Sequence, residues 1–166
     1  MNTTITNTNP NSPEVQVTSP YLQIQLDSVT PALIPMQYAQ EVLTFPSRRI
    51  TPMPNLPDCL LGLLNQRSRI IWVADLGQML GKKPINRNLQ QYNLAIIRWQ
   101  NIPLGLVVAQ VKGVIRLVPE LIESPVGNVA ESLVPYLHGV YQRADDTSWL
   151  VLAAETLINS SLLHSR

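Results

Sequence analysis

The sequence predicts an all-β protein built as a small barrel or sandwich. Short apolar segments recur about every ten residues, as is typical of such folds. Proline, glycine, asparagine, aspartate and serine separate these segments, and the fourteen prolines lie largely at segment edges, where their missing N–H does not break a strand ladder. A chain of this length forms one domain that is large enough to bury a substantial core.

The first strand is predicted at YLQIQL, residues 21–26. Leu22, Ile24 and Leu26 alternate with more polar positions, which places three aliphatic side chains on one face of a strand. The preceding residues 1–20 consist mainly of Asn, Thr, Ser and Pro and contain few core-forming side chains. We therefore predict a disordered N-terminal tail at residues 1–20 and a single domain at residues 21–163.

Eight further apolar segments predict the remaining strands. They are ALIPM (32–36), GLLNQR (62–67), RIIWVAD (69–75), YNLAIIRW (92–99), IPLGLVVA (102–109), KGVIRLV (112–118), YLHGVYQ (136–142) and SWLVLAA (148–154). Short polar joints at Ser68, at Gln100-Asn101 and at residues 144–147 predict hairpins, so consecutive strands are expected to be antiparallel neighbours.

Helix is predicted in only two places. PMQYAQEVL at residues 35–43 is one candidate, and AETLINSSLL at residues 154–163 is the other. In the second segment, Leu157, Ile158, Leu162 and Leu163 could share an apolar stripe.

Net charge, cysteine content and the length of the apolar runs exclude several classes of partner, site and location. A net charge of +1 offers no field for steering a polyanion, so we expect no nucleic-acid partner. Cys59 is the single cysteine, which excludes an internal disulfide and a cysteine-rich zinc site. No apolar run approaches the ~18 residues that cross a bilayer, and no signal-peptide pattern is present. We expect a cytoplasmic protein that does not insert into membranes.

The sequence contains no arrangement of residues typical of catalysis. His138 and His164 lack metal-ligand spacing, and there is neither a G-x-S-x-G turn nor a glycine-rich phosphate loop. Asp145-Asp146 is the one acidic pair, and its place in a predicted turn explains it. We predict a protein that is not an enzyme and that holds no cofactor or metal.

Two arginines stand at the tip of one predicted hairpin. Arg67 and Arg69 flank Ser68 between two apolar strands. Arginine suits protein interfaces because its planar fork donates to carboxylates and carbonyls. Two solvated turn charges, each worth ~0–1 kcal/mol, would give the same pattern. The residues alone do not decide between the two interpretations.

A longer motif surrounds this hairpin and resembles a known family. The run P-x-x-x-x-G-x-x-N-x-R followed by D-L resembles the hallmark of the CheW family of chemotaxis adaptors. It is formed here by Pro57, Gly62, Asn65, Arg67, Asp75 and Leu76. AQEV at 39–42, PLGLVV at 103–108 and YLHGV at 136–140 resemble further segments of that family. The resemblance implies a CheW-like fold of two small five-stranded β-barrel subdomains packed together, with short helices including one at the C-terminus.

The resemblance also implies a function. Family members are non-catalytic adaptors that couple the cytoplasmic coiled-coil tips of methyl-accepting-type chemoreceptors to the regulatory domain of a CheA-type histidine kinase. Carried over by position, Arg67 is the expected receptor or kinase contact, with Arg69 on the same hairpin. Asn65 would hold the strand, and Glu41 and Val42 would lie near the same surface. Gly62, Asp75 and Leu76 are expected to serve the fold.

The sequence departs from the family pattern at two positions of the hairpin. Ser68 stands where the family usually has glycine, and Trp72 where it often has proline. A serine tolerates a positive φ less well than glycine does, so we expect an altered hairpin tip. These departures suggest a specialised paralogue, for example one of pilus-based motility or phototaxis.

Two alternatives stay open at this point. A small β-barrel that binds nucleic acid would use Arg48-Arg49, Lys82-Lys83 and Arg87 together with exposed aromatic rings. Trp72 and Trp149 each lie in an apolar strand, which favours core packing, but an exposed tryptophan would instead be an interface anchor.

Overall fold

The computed structural model describes residues 16–163, which form eleven strands and a few short helices. The strands are β1 (Ser19–Gln25), β2 (Pro31–Pro35), β3 (Ala39–Pro46), β4 (Leu60–Gln66), β5 (Arg69–Asp75), β6 (Gln91–Trp99), β7 (Ile102–Val108), β8 (Gln110–Leu117), β9 (Ile122–Glu123), β10 (Leu137–Gln142) and β11 (Ser148–Leu152). The α-helices are α1 (Leu76–Met79) and α2 (Ala154–Ile158). Single turns of 3-10 helix lie at Ser47–Arg49, Pro119–Leu121 and Ser161–Leu163, and a longer one lies at Glu131–Tyr136.

The strands form two sheets. The first has the order β8-β1-β2-β11-β10-β9, and the second has the order β3-β6-β7-β5-β4. Pairing is antiparallel except between β2 and β11 and between β5 and β7. The predicted fold class is confirmed: the protein is mostly β, with two sheets and a short C-terminal helix. The second sheet has the five strands expected, and the two-residue strand β9 brings the first to six.

The predicted hairpins are present. Arg67 and Ser68 connect β4 to β5, Gln100 and Asn101 connect β6 to β7, and residues 143–147 connect β10 to β11. β1 begins at Ser19, two residues before the predicted start. The predicted tail falls largely on residues 1–15, which lie outside the described residues.

The helix predicted at residues 35–43 is wrong. Most of that segment belongs to β3, which pairs with β6 from Ala39 to Pro46. The local sequence suits a helix, but pairing with a strand fifty residues away overrides local propensity. The second predicted helix exists in part, as α2 followed by the 3-10 turn. Leu157 and Ile158 in it are buried, whereas Leu162 is 38% exposed.

The core that joins the sheets draws on both of them. Leu22 and Ile24 of β1, Leu104 and Leu106 of β7 and Ile158 of α2 all belong to one buried cluster. Each such aliphatic side chain contributes about 1.5–3 kcal/mol by leaving water. Two smaller clusters fill the inner faces of the two sheets. No helix among residues 16–163 has the length and apolar character needed to cross a membrane.

Candidate protein-binding surface

The β4–β5 hairpin ends in a tight two-residue turn. Arg67 has φ 52° and Ser68 has φ 63°, so both lie in the left-handed region. Two successive residues with positive φ define a type I′ turn, whose twist matches that of the flanking strands. Ser68 therefore adopts a conformation that glycine would adopt more easily. Arg67 lies in the turn rather than in strand β4.

The guanidinium group of Arg67 contacts the carboxylate of Glu41. Arg67 Nε lies 3.3 Å from Glu41 Oε1, and the exposed fractions of the two side chains are 77% and 24%. The Gln66 side-chain amide donates to the same Oε1 at 3.2 Å. Glu41 lies on β3 and Gln66 on β4, the two edge strands of the second sheet. One carboxylate thus bridges the two edges of this sheet and holds the arginine beside them.

Arg49 extends this network of polar contacts beyond Gln66. Its Nη2 donates to the carbonyl oxygen of Asn65 at 2.8 Å and to Gln66 Oε1 at 3.2 Å. Asn65 is exposed, and its main-chain carbonyl rather than its side chain makes the contact. The result is a chain of polar contacts in the order Arg49, Gln66, Glu41, Arg67. Sequence reasoning missed Gln66 and Arg49, because no sequence pattern shows that the two edge strands approach each other.

A surface cavity of about 250 Å³ lies at this end of the sheet. Its lining brings together three of the predicted site residues, Glu41, Arg67 and Arg69. Val42 and Asn65 are not part of this lining. Val42 is 44% exposed and, by strand alternation, points to the face of β3 opposite Glu41. Asn65 pairs with Ile70 on the outer face of the hairpin.

Buried contacts fix the base of the hairpin. Asp75 is 2% exposed; its Oδ1 accepts from the Gln78 amide at 3.2 Å and its Oδ2 from the Ile85 amide at 2.7 Å. It caps α1 and anchors the following loop. Gly62 has φ 141°, and a Cβ there would collide with the carbonyl of Thr51. Asp75 and Gly62 therefore serve the fold, as expected from the resemblance.

The two tryptophans differ in their surroundings. Trp149 is 6% exposed and packs edge-on against Tyr141, with the two ring centres 6.3 Å apart. The guanidinium carbon of Arg143 lies 4.4 Å from the ring centre of Trp149. Trp72 is 40% exposed on the outer face of the hairpin. Core packing is therefore right for Trp149 and wrong for Trp72, because alternation along β5 turns Ile71 and Val73 inward and Trp72 outward.

Two of the basic residues of the nucleic-acid alternative make contacts within the chain. Arg49 is engaged with Asn65 and Gln66, and Arg87 donates to the carbonyl of Asp58 at 3.0 Å. Stacking on bases requires exposed aromatic rings. Among residues 16–163, Trp72 is the one aromatic side chain classed as exposed. The described part of the chain also contains no group of three His, Cys, Asp or Glu side chains that could hold a metal ion.

Comparison with known proteins identifies relatives. Residues 20–162 match the family described as the CheW-like domain. Protein PilI of Pseudomonas aeruginosa is 27% identical over 123 residues, which cover 74% of this chain and 66% of PilI. The chain thus spans just under two thirds of the length of this relative.

A solved structure has the same fold. The scaffolding protein TtCheW of Thermoanaerobacter tengcongensis superposes with a TM-score of 0.73 at 23% sequence identity, over 85% of this chain and 92% of that one. Because the family match takes in all eleven strands but the first residue of β1, the chain belongs to the family of CheW-like domain proteins.

Proposed function

We propose that the chain is a non-catalytic adaptor that holds signalling proteins together. As a CheW-like domain protein it is a member of a family of scaffolds in chemotaxis-type signalling. The absence of a recognisable catalytic motif in the sequence agrees with a binding role.

One observation carries the proposal. The Arg67 side chain is 77% exposed, yet its guanidinium group contacts a carboxylate that the fold holds between two strands. A side chain that is already oriented loses less conformational entropy when a partner binds, so more of the contact energy appears as affinity. Ile70 follows closely on β5 and is 69% exposed, so apolar surface lies beside the charge. Arginine next to apolar area is typical of protein interfaces.

The finer proposal names the partners. The chain would couple the cytoplasmic coiled-coil tip of a chemoreceptor to the regulatory domain of a CheA-type histidine kinase, in the cytoplasm. Arg67, Glu41 and Arg69 would form the central contact, flanked by Asn65 and Val42. Similarity to PilI supports a pilus-motility pathway over a flagellar one.

Co-purification tests the proposal. The tagged chain is used to capture the kinase regulatory domain and the receptor tip, each purified separately. Arg67→Glu should weaken capture of at least one of them, because truncating a central interface arginine costs ~2 kcal/mol or more, about thirtyfold in affinity. Arg48→Glu is the matched control, since Arg48 is also exposed and lies in the neighbouring 3-10 turn.

The outcome also separates this function from nucleic-acid binding. If the wild-type chain captures neither domain but retards an oligonucleotide in a salt-sensitive gel shift, the adaptor function is refuted. That result would favour the nucleic-acid alternative.

A further inference from the structure

A cleft of about 270 Å³ lies where the two sheets meet the loop that follows α1. The residues just after β1, the start of β6, the end of β7 and part of the loop at residues 83–89 line it. Its volume is just below the range of about 300–1,000 Å³ that is typical of small-molecule sites. The cleft shares no lining residue with the cavity at Arg67 and Glu41, so it is a separate feature of the surface.

The interior of the cleft is mainly apolar. Leu26, Val107 and Val108 are buried, and Ile85 is half-buried. Leu89 also lines the cleft and is 43% exposed. The apolar part of a small molecule would gain free energy by leaving water for this lining. We therefore expect a ligand with an apolar body.

Hydrogen bonds within the chain fix the walls of the cleft. Asp75 Oδ2 accepts the Ile85 amide at 2.7 Å, and Asn93 Nδ2 donates to the Ala109 carbonyl at 3.0 Å. Asp27 Oδ1 accepts two main-chain amides of its own loop, at 2.9 and 2.7 Å. These polar side chains hold the shape of the cleft and already have partners. A site that is formed before its ligand arrives loses less entropy on binding.

One buried side chain in the cleft has a polar group without such a partner. Tyr92 is 5% exposed, and its ring packs edge-on against Phe45 with ring centres 6.2 Å apart. Within residues 16–163, the Tyr92 hydroxyl forms no hydrogen bond, although it is not sealed from solvent. Burial raises the pKa of Tyr92 above its usual value of 10.0, against the opposing charge of Arg87, so the hydroxyl keeps its proton. It is therefore a donor that can bind an oxygen atom of a ligand.

Lys83 adds a second donor, and this one is charged. It lines the cleft, is exposed and forms no ion pair within the described part of the chain. Lysine donates hydrogen bonds but accepts none, and its flexible stem lets the ammonium group turn toward a ligand. The two carboxylates in the lining, Asp27 and Asp75, are engaged as described above, and Asp27 also feels the positive charge of Lys82. The groups left free in the cleft therefore suit an anionic acceptor.

We propose that this cleft binds a small carboxylic acid with an apolar body. The body packs against Leu26 and Val108, and the carboxylate accepts a hydrogen bond from the Tyr92 hydroxyl and pairs with Lys83. This site goes beyond the adaptor function proposed above, because its ligand is a small molecule and its residues are separate from the Arg67–Glu41 pair.

Three simple acids serve as probes. Phenylacetate, 3-phenylpropionate and 4-methylpentanoate are each titrated into the full ¹⁵N-labelled chain, and amide shifts are followed by NMR. At least one acid should give saturable shifts at the amides of Ile85, Tyr92 and Val108, with a Kd of about 1 mM or lower, as suits so small a ligand. The primary amide and the amine with the same apolar body should bind at least threefold more weakly, because neither offers a negative charge to Lys83.

Two substitutions assign the contacts. Tyr92→Phe removes only the hydroxyl group and should weaken binding of the acid at least threefold. Because that hydroxyl has no partner among the described residues, the unfolding midpoint should stay unchanged. Lys83→Met removes the charge and should also weaken binding at least threefold. Lys112→Met is the matched control, since Lys112 is exposed outside the cleft, and it should bind like wild type.

Three results would overturn the proposal. One is the absence of saturable shifts at the cleft with all three acids. Another is binding of the amide or the amine as tight as that of the acid, which would assign the cleft to a different class of ligand. The third is equal affinity of Tyr92→Phe and wild type. Loss of kinase or receptor capture in Arg67→Glu has no bearing on these readouts, so the two proposals fail separately.

Discussion

Arg67 Nε lies 3.3 Å from Glu41 Oε1, across the two edge strands of the five-stranded sheet. Because Arg67 is 77% exposed, solvent screens this ion pair and its effect on folding is below ~1 kcal/mol. The main effect of the ion pair is on the position of the Arg67 guanidinium group. The pair fixes where a positive group stands on the surface while leaving most of that group available to another protein.

The geometry of the turn that contains Arg67 and Ser68 predicts that a substitution of Ser68 will stabilise the protein. Ser68 has φ 63°, a conformation that is costly for serine and nearly free for glycine. Ser68→Gly should therefore raise the free energy of unfolding by about 0.5 kcal/mol, after allowance for the greater chain entropy of glycine in the unfolded state. Urea unfolding measures the change. Ser132→Gly, in a 3-10 helix without positive φ, should instead lower it, and a loss of stability in Ser68→Gly would contradict the turn geometry.

Substitution of Asp75 at the base of the hairpin should strongly lower the free energy of unfolding. It is buried and accepts the main-chain amides of Gln78 and Ile85. Asp75→Ala leaves both donors without an acceptor, so we expect a loss of about 2–3 kcal/mol in thermal or urea unfolding. Asp58→Ala is the control, because Asp58 is exposed and its contact with Arg87 uses its main-chain carbonyl. Equal effects of the two substitutions would refute the assigned role of Asp75.

The two tryptophans should respond differently to truncation. Trp149→Ala removes a side chain that is 6% exposed and should cost about 3–5 kcal/mol. Trp72→Ala removes one that is 40% exposed and should cost about 1 kcal/mol. The midpoints of chemical unfolding compare them directly. A cost for Trp72→Ala that matches that of Trp149→Ala would place Trp72 in the core after all.

Asp27 should make folding sensitive to acid. Partial burial raises its pKa, but hydrogen bonds from Val29 and Thr30, with the nearby charge of Lys82, outweigh this and lower the pKa below the usual value of 3.8. A carboxyl whose pKa is depressed by folding stabilises the protein above its unfolded pKa. That contribution disappears as the pH falls through the lower folded value.

Unfolding at a series of pH values tests this assignment. Between about pH 5 and pH 2.5 the wild-type chain should lose more stability than Asp27→Asn, whose amide oxygen can still accept both hydrogen bonds but does not titrate. Parallel profiles for the two proteins would show that Asp27 does not contribute to acid sensitivity.

Much of the strand pattern was readable from the sequence, because its signals are local. Alternation placed Leu22, Ile24 and Leu26 on one face of the predicted first strand, and all three are buried in the cluster between the sheets. Short polar joints such as Gln100-Asn101 correctly marked the hairpins. The assignment of Asp75 and Gly62 to the fold came from the resemblance, and both make the buried contacts it implies.

The features that sequence reasoning missed depend on contacts between distant segments. The helix predicted at residues 35–43 overlaps β3, and only the pairing of β3 with β6, fifty residues away, makes that segment a strand. Sequence reasoning missed Gln66 because its role depends on side-chain contacts with Glu41 and Arg49, which lie on other segments of the chain. The sequence favours core packing for Trp72 without deciding it, because an apolar strand does not show which of its faces is covered, and here Trp72 on the outer face of β5 borders an open groove.

The affinity of the chain for the regulatory domain of a CheA-type kinase, measured by calorimetry, tests the central claim most directly. We predict measurable binding by the wild-type chain, affinity within twofold of wild type for Arg48→Glu, and at least tenfold weaker binding for Arg67→Glu at an unchanged unfolding midpoint. Equal affinity of Arg67→Glu and wild type would contradict the claim that this protein works through the surface at Arg67 and Glu41.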